Sequence, residues 1–118
     1  MNVALMKSVT LMVAFFTLAG CAVIQPLYSW GPYESEVYAF FKGDSVEKQI
    51  QTLEKHLNVA EAKGKILPPG YYAHLGMLYG KVGRGIEARA LLDKELRLYP
   101  EASVFMNNIN SGFKGRNE

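Results

Sequence analysis

Few residues of this chain carry reactive or ligating chemistry, and they lie scattered: one cysteine, Cys21, and two histidines, His56 and His74. Neither histidine has a cysteine or second histidine at ligand spacing, so no zinc site is expected. Across helices His74 has two candidate partners, Glu95 and Glu61, and a structural polar contact is the expected role. Ser45, Ser103 and Ser111 lie outside any strand–turn–helix elbow of the kind that exposes a nucleophile. No glycine-rich phosphate loop follows a strand. The carboxylates Glu34, Glu36, Glu47, Glu54, Glu61, Glu87, Asp93 and Glu95 alternate with basic residues, as solvated helix faces do. No catalytic residue is assigned, and the chain is expected not to be an enzyme. That leaves Cys21, whose thiol directly follows a run of apolar and small residues.

Lys7 supplies a positive start and Val9 to Leu18 an uncharged apolar run, shorter than the roughly 20 residues a bilayer-spanning helix needs. The run closes on Leu18-Ala19-Gly20-Cys21, which resembles a lipobox, the processing site of bacterial lipoproteins. The resemblance implies cleavage before Cys21, a diacylglycerol thioether on its sulfur and an acyl chain such as palmitate on its new amino group. Several acyl chains anchor a protein stably where one binds marginally. A cleavable signal without lipid and a retained membrane helix are the alternatives. Ala22 follows the cysteine, and no Asp stands there to hold the protein at the inner membrane. The resemblance therefore implies an outer-membrane protein of the cell envelope, lipid-anchored and facing the periplasm. The expected organisation is a signal peptide at 1–20, lipidated Cys21 and tether at 21–31, a helical domain at 32–113 and a polar tail at 114–118. From Cys21 to Trp30 the tether reaches at most about 30 Å.

The elements behind the tether read as helices throughout. The chain has 118 residues, 49% hydrophobic and 20% charged, with net charge +2. That is room for one globular domain, with no basic footprint for nucleic acid. Tyr28, Trp30, Tyr33, Tyr38, Phe40 and Phe41 form an aromatic segment. Gly31-Pro32 opens a helix there, on which Tyr33, Val37, Phe40 and Phe41 share one face. Trp30 and Phe41 are candidate partner-binding residues. The rings fit a membrane-interface belt, a partner patch, or a cap on the core of a small domain. Lys42-Gly43 ends this helix. Asp44-x-x-Glu47 has the form of a capping box, and Val46, Ile50, Leu53, Leu57 and Ala60 make the most regular amphipathic helix of the chain. Gly64 is expected to stop it in a left-handed conformation, and Pro68-Pro69-Gly70 to lead stiffly into the next helix.

From Tyr72 to Pro100 the residues resemble one tetratricopeptide repeat, W-x2-L-G-x2-Y…A-x3-F…P. Tyr72 replaces the Trp; Leu75, Gly76, Tyr79 and Ala88 fall in register; Leu92 replaces the Phe; Pro100 closes the unit. Tyr72, Leu75, Tyr79 and Leu92 would fill the space between two antiparallel helices, while Gly76 and Ala88 let them approach. Glu95 departs from the pattern, standing where a small residue is usual, and is expected to loosen the packing. After Pro100, Ala102, Phe105, Met106, Ile109 and Phe113 recur at helical spacing and would cover the end of the stack. The fold expected is all-α: a short tetratricopeptide-like stack of about five helices, right-handed, behind the signal peptide. In the repeats this resembles, the first helix lines a groove. Carried over, the groove positions are Ala73, Met77, Gly80 and Lys81, open to a partner helix or peptide, or else packed on the neighbouring hairpin.

The lipobox, Tyr28-x-Trp30-Gly31-x-Tyr33, Pro69-Gly70-x-x-Ala73-His74-Leu75-Gly76 and Tyr99-Pro100-Glu101-Ala102-Ser103 together resemble the small bacterial lipoproteins of domain of unknown function 4810. Members are often encoded beside a lipoprotein similar to the curli secretion channel, which implies an envelope assembly with a channel-like protein. No catalytic residue comes with the resemblance. The expected function is a non-catalytic protein-binding adaptor. Its alternatives are a structural, oligomeric subunit of an outer-membrane assembly and an accessory factor that positions an envelope hydrolase. No cofactor beyond the covalent lipid on Cys21, no nucleic acid and no small-molecule substrate is expected.

Overall fold

The structure is a computed structural model that describes residues 2–17 and 24–114. The lipobox and Cys21 fall outside the described residues, as does nearly all of the polar tail. Among the described residues the chain is all-helical: α1 (Val3–Thr17), α2 (Tyr33–Lys42), α3 (Val46–Ala62), α4 (Tyr71–Lys81), α5 (Gly85–Leu98), a 3-10 turn (Pro100–Ala102) and α6 (Ser103–Lys114). None of these helices is long and apolar enough to cross a membrane. The 15 residues of α1 rise about 22 Å, short of the roughly 30 Å of a hydrocarbon core.

Three of the four turns between successive helices of the stack follow from glycine. At Gly43, Gly64 and Gly83 the backbone turns left-handed (φ 79°, 60° and 80°). In each case the two following amides fold back on the last turn: Gly43 N–H to Phe40 O and Asp44 N–H to Ala39 O, Gly64 to Glu61 and Lys65 to Ala60, Gly83 to Gly80 and Arg84 to Tyr79. This paired closure satisfies carbonyls that a helix end leaves open. The start of α3 differs from the expected box by one residue. Ser45, and not Asp44, is the N-cap: its Oγ accepts from Lys48 N–H at 3.3 Å and donates to Glu47 Oε2 at 3.1 Å. Asp44 is occupied one step earlier, closing α2.

These turns produce two antiparallel hairpins, α2–α3 and α4–α5, with α6 laid against the second. The central element is α4. Its sequence is apolar nearly all round, the mark of a helix enclosed by neighbours, and Tyr71 through Gly76, Leu78 and Tyr79 are all buried. One core joins Ile50, Leu53 and Ala60 of α3 to Tyr72, Leu75, Leu78 and Tyr79 of α4 and Ala88 of α5. A second joins Ala73, Leu92 and Met106. Each enclosed leucine side chain contributes about 1.5–3 kcal/mol by leaving water. The α4–α5 crossing is close because Gly76 lacks a side chain: a Cβ there would stand 3.0 Å from the Ala88 carbonyl oxygen and 3.3 Å from Leu92 Cγ.

On α2, Tyr33 and Phe40 pack on the core as expected. Phe41 does not share that face, and is 79% exposed. Eight residues after Tyr33, it has rotated about 80° off the Tyr33 line at 100° per residue, and its ring meets that of Phe40 edge-on (centroids 5.6 Å apart).

Candidate functional site

The first turn of α4 must start without a side-chain cap, because Gly70 precedes it at φ 91°. Tyr33 occupies the space a side chain would need, its Oη lying 2.7 Å from the position of a Cβ on residue 70. The missing cap arrives from another helix. Glu95 of α5 reaches across, and its carboxylate accepts from Gly70 N–H at 2.5 Å and from Ala73 N–H at 3.3 Å. Glu95 is 1% exposed, yet its oxygens meet amides that would otherwise be orphaned, at the positive end of a helix. The charged residue at a small-residue position therefore does not loosen the packing. It fastens the two helices together. Burial nonetheless pushes its carboxyl above the usual range, outweighing the backbone amides that pull it down.

His74 contacts neither expected carboxylate. Glu61 is taken by Lys94 Nζ at 2.6 Å and Tyr72 Oη at 3.4 Å, and Glu95 by the backbone. The imidazole lies instead among rings, edge-on to Phe40 (5.5 Å) and Tyr33 (6.0 Å). Its Nε2 is buried without a hydrogen-bond partner. Burial pulls its pKa below the ordinary histidine value, so the ring sits neutral in the core at pH 7. The other histidine, His56, acts as a tie. Its Nε2 lies 3.3 Å from Ser29 Oγ and 3.1 Å from Ser29 O. With Ser29 N–H donating to Ile66 O at 2.7 Å, it docks the extended segment before α2 onto α3 and the following loop.

The four groove positions share one face of α4, bounded on both sides. Ala73 is interior, covered by Met106 of α6, and so presents nothing to a partner; the capping helix expected over the stack is what closes it. Met77 and Gly80 are partly exposed. Lys81 is exposed and lays its ammonium over the Phe40 ring of α2, 4.4 Å from the centroid. The open part of the face is thus Met77, Gly80 and Lys81. Trp30 lies apart from it, 43% exposed, stacked on Tyr33 (6.2 Å) with Tyr28 edge-on at 6.3 Å. Among the described residues no three His, Cys, Asp or Glu side chains gather as a metal site.

The anchoring residues that sequence reasoning missed are Glu95, Ser29 and Tyr99, whose hydroxyl donates to Leu67 O at 2.6 Å. Only Glu95 left a signal, as the one charged departure from a small-residue pattern.

Fold and site together define a small helical stack in which side-chain-to-backbone clamps from α5 hold the start of α4 and the connection before it. The chain belongs to the family described as Domain of unknown function (DUF4810), whose model matches residues 27–109. That span takes in the docked segment, both hairpins and most of α6. No curated protein and no solved structure matches the chain.

Proposed function

We propose that this protein is a lipid-anchored adaptor of the bacterial outer membrane, with a tetratricopeptide-like surface that holds another envelope protein. The observation that carries the reading is the α4 face between α2 and α6, open at Met77, Gly80 and Lys81. It is apolar and small with one cation at its edge, a surface that suits a partner helix or an extended peptide. The anchoring half rests on Leu18-Ala19-Gly20-Cys21 following the apolar run. A channel-like lipoprotein is the partner expected.

The test is crosslinking in the native envelope, followed by mass spectrometry of what co-purifies. Recovery of a channel-like lipoprotein, lost in a Met77→Arg variant whose thermal melt matches the parent, is the expected result. A ladder of the protein's own multiples would overturn the adaptor reading. It would favour a self-assembling structural subunit, a reading supported by the exposed Phe41 and Tyr38 rings of α2. In that case Trp30→Ala or Phe41→Ala should return the assembly to monomers by light scattering.

A further inference from the structure

The segment that leads out of the tether does not bury its apolar side chains. Ile24 is 89% exposed, Leu27 70% and Trp30 43%. This segment is nonetheless fixed in place, through Ser29 N–H to Ile66 O and Ser29 to His56. The fixing point brings a further exposed apolar residue to the same end of the molecule: Ile66, 54% exposed. Lys63 and Lys65 immediately precede it, both exposed. Neither is in an ion pair among the described residues, where the pairs are Arg84–Glu87 and Lys94–Glu61.

We propose that this end of the domain, Ile24, Leu27, Trp30 and Ile66 with Lys63 and Lys65, lies on the headgroup surface of the leaflet that holds the acyl chains. The proposal rests on the lipid-anchor reading for its geometry. Three Cα-to-Cα steps lead from Cys21 to Ile24, a reach of at most about 11 Å, so the lipid holds Ile24 within the interfacial zone. Tryptophan and tyrosine favour that zone because an apolar ring and a polar N–H or O–H are accommodated together, and Tyr28 and Trp30 are such a pair. Two lysines outside any ion pair among the described residues complement anionic headgroups. A partner protein would need no such nearness to the lipidated residue, and a second copy would bring the same lysines against each other. The docked segment thus fixes which end of the stack meets the membrane.

Trp30 is the only tryptophan of the chain, so its fluorescence reports this surface alone. The full-length protein is purified from its native membrane, and its mass shows whether acyl chains are present. It is then reconstituted into vesicles of phosphatidylethanolamine and phosphatidylglycerol containing lipids brominated near the carbonyls. The expected result is a blue shift of Trp30 emission, quenching by the brominated lipid and protection from aqueous acrylamide. A Lys63→Glu/Lys65→Glu variant should show weaker quenching with its lipid intact. Trp30 open to acrylamide and unquenched in an acylated protein would overturn the surface while leaving the anchor standing. Trp30 shielded from acrylamide but unquenched by lipid, in a sample of dimeric mass, would assign the patch to a second copy and also overturn it. A protein without acyl chains would sink the anchor reading. The same chain mixed with the vesicles then decides the surface: quenching supports it and its absence overturns it.

Discussion

Burial moves the ionisable groups of His74 and Glu95 at the heart of the stack, and their effects on stability oppose each other. The folded pKa of His74 lies below its ordinary value of 6.5, so the folded chain binds fewer protons there than the unfolded chain. The stability this group leaves intact is fully present above about pH 6.5 and is lost as pH falls toward the folded value. Glu95 has the reverse sign. Its folded pKa is raised above the usual 4.5, so ionisation costs stability above the folded value, and the cost is relieved as pH falls through it toward 4.5. Thermal melts between pH 4.5 and 7.5 should therefore separate the two. His74→Phe is expected to hold its melting temperature on acidification below pH 6.5 better than the parent, and Glu95→Gln to gain less than the parent in the lower part of that range. At neutral pH, Glu95→Ala would leave Gly70 and Ala73 amides without acceptors, a cost of about 1–3 kcal/mol measurable by urea unfolding. A stability unchanged by Glu95→Ala would mean that water replaces the cap.

Among the elements, the α4–α5 crossing and the α5 start make contrasting demands on glycine. Gly76→Val should destabilise by about 1–3 kcal/mol through overpacking against the Ala88 carbonyl and Leu92. Gly85 opens α5 with free space around it, so Gly85→Ala should stabilise by about 0.4–1 kcal/mol by restricting the unfolded chain. Denaturant midpoints of the two variants should move in opposite directions. What is legible in the sequence follows the same division. Gly43 and Gly64 announce their helix ends because a left-handed closure depends on local residues. Gly76 and Ala88 announce the crossing because their smallness has one evident use at that spacing. The cap of α3 shifts by one residue because Asp44 and Ser45 both suit the role, and only the closure of α2 decides between them. The roles of Glu95 and Tyr99 are illegible because each side chain bonds a backbone group far along the chain, and backbone groups leave no trace in residue identity; Ser29 and His56 are 27 positions apart with no pattern linking them. On α2, helical spacing admits Phe41 only at the edge of a wide apolar stripe, and the neighbouring helix does not extend over that edge, so Phe41 stays exposed.

At the scale of the whole molecule, α6 closes the stack through Met106 while leaving Val104 and Phe105 outside. Met106→Ala should cost about 2–5 kcal/mol, since it opens space beside Ala73 and Leu92, whereas Phe105→Ala should stay within about 0.5 kcal/mol. Equal midpoints for the two would mean that α6 adds nothing to the fold. The 64–70 connection also joins two parts of the molecule that are distant in sequence, the segment before α2 and the end of α5. Ser29 binds it at Ile66, Tyr99 at Leu67 and Glu95 at Gly70. A pull on the chain ahead of Ser29 is therefore not borne by α2 alone. From Ser29 it passes into the connection and on to α5, where the two clamps resist it side by side, so the second hairpin shares the strain of a domain tugged from its N-terminal side.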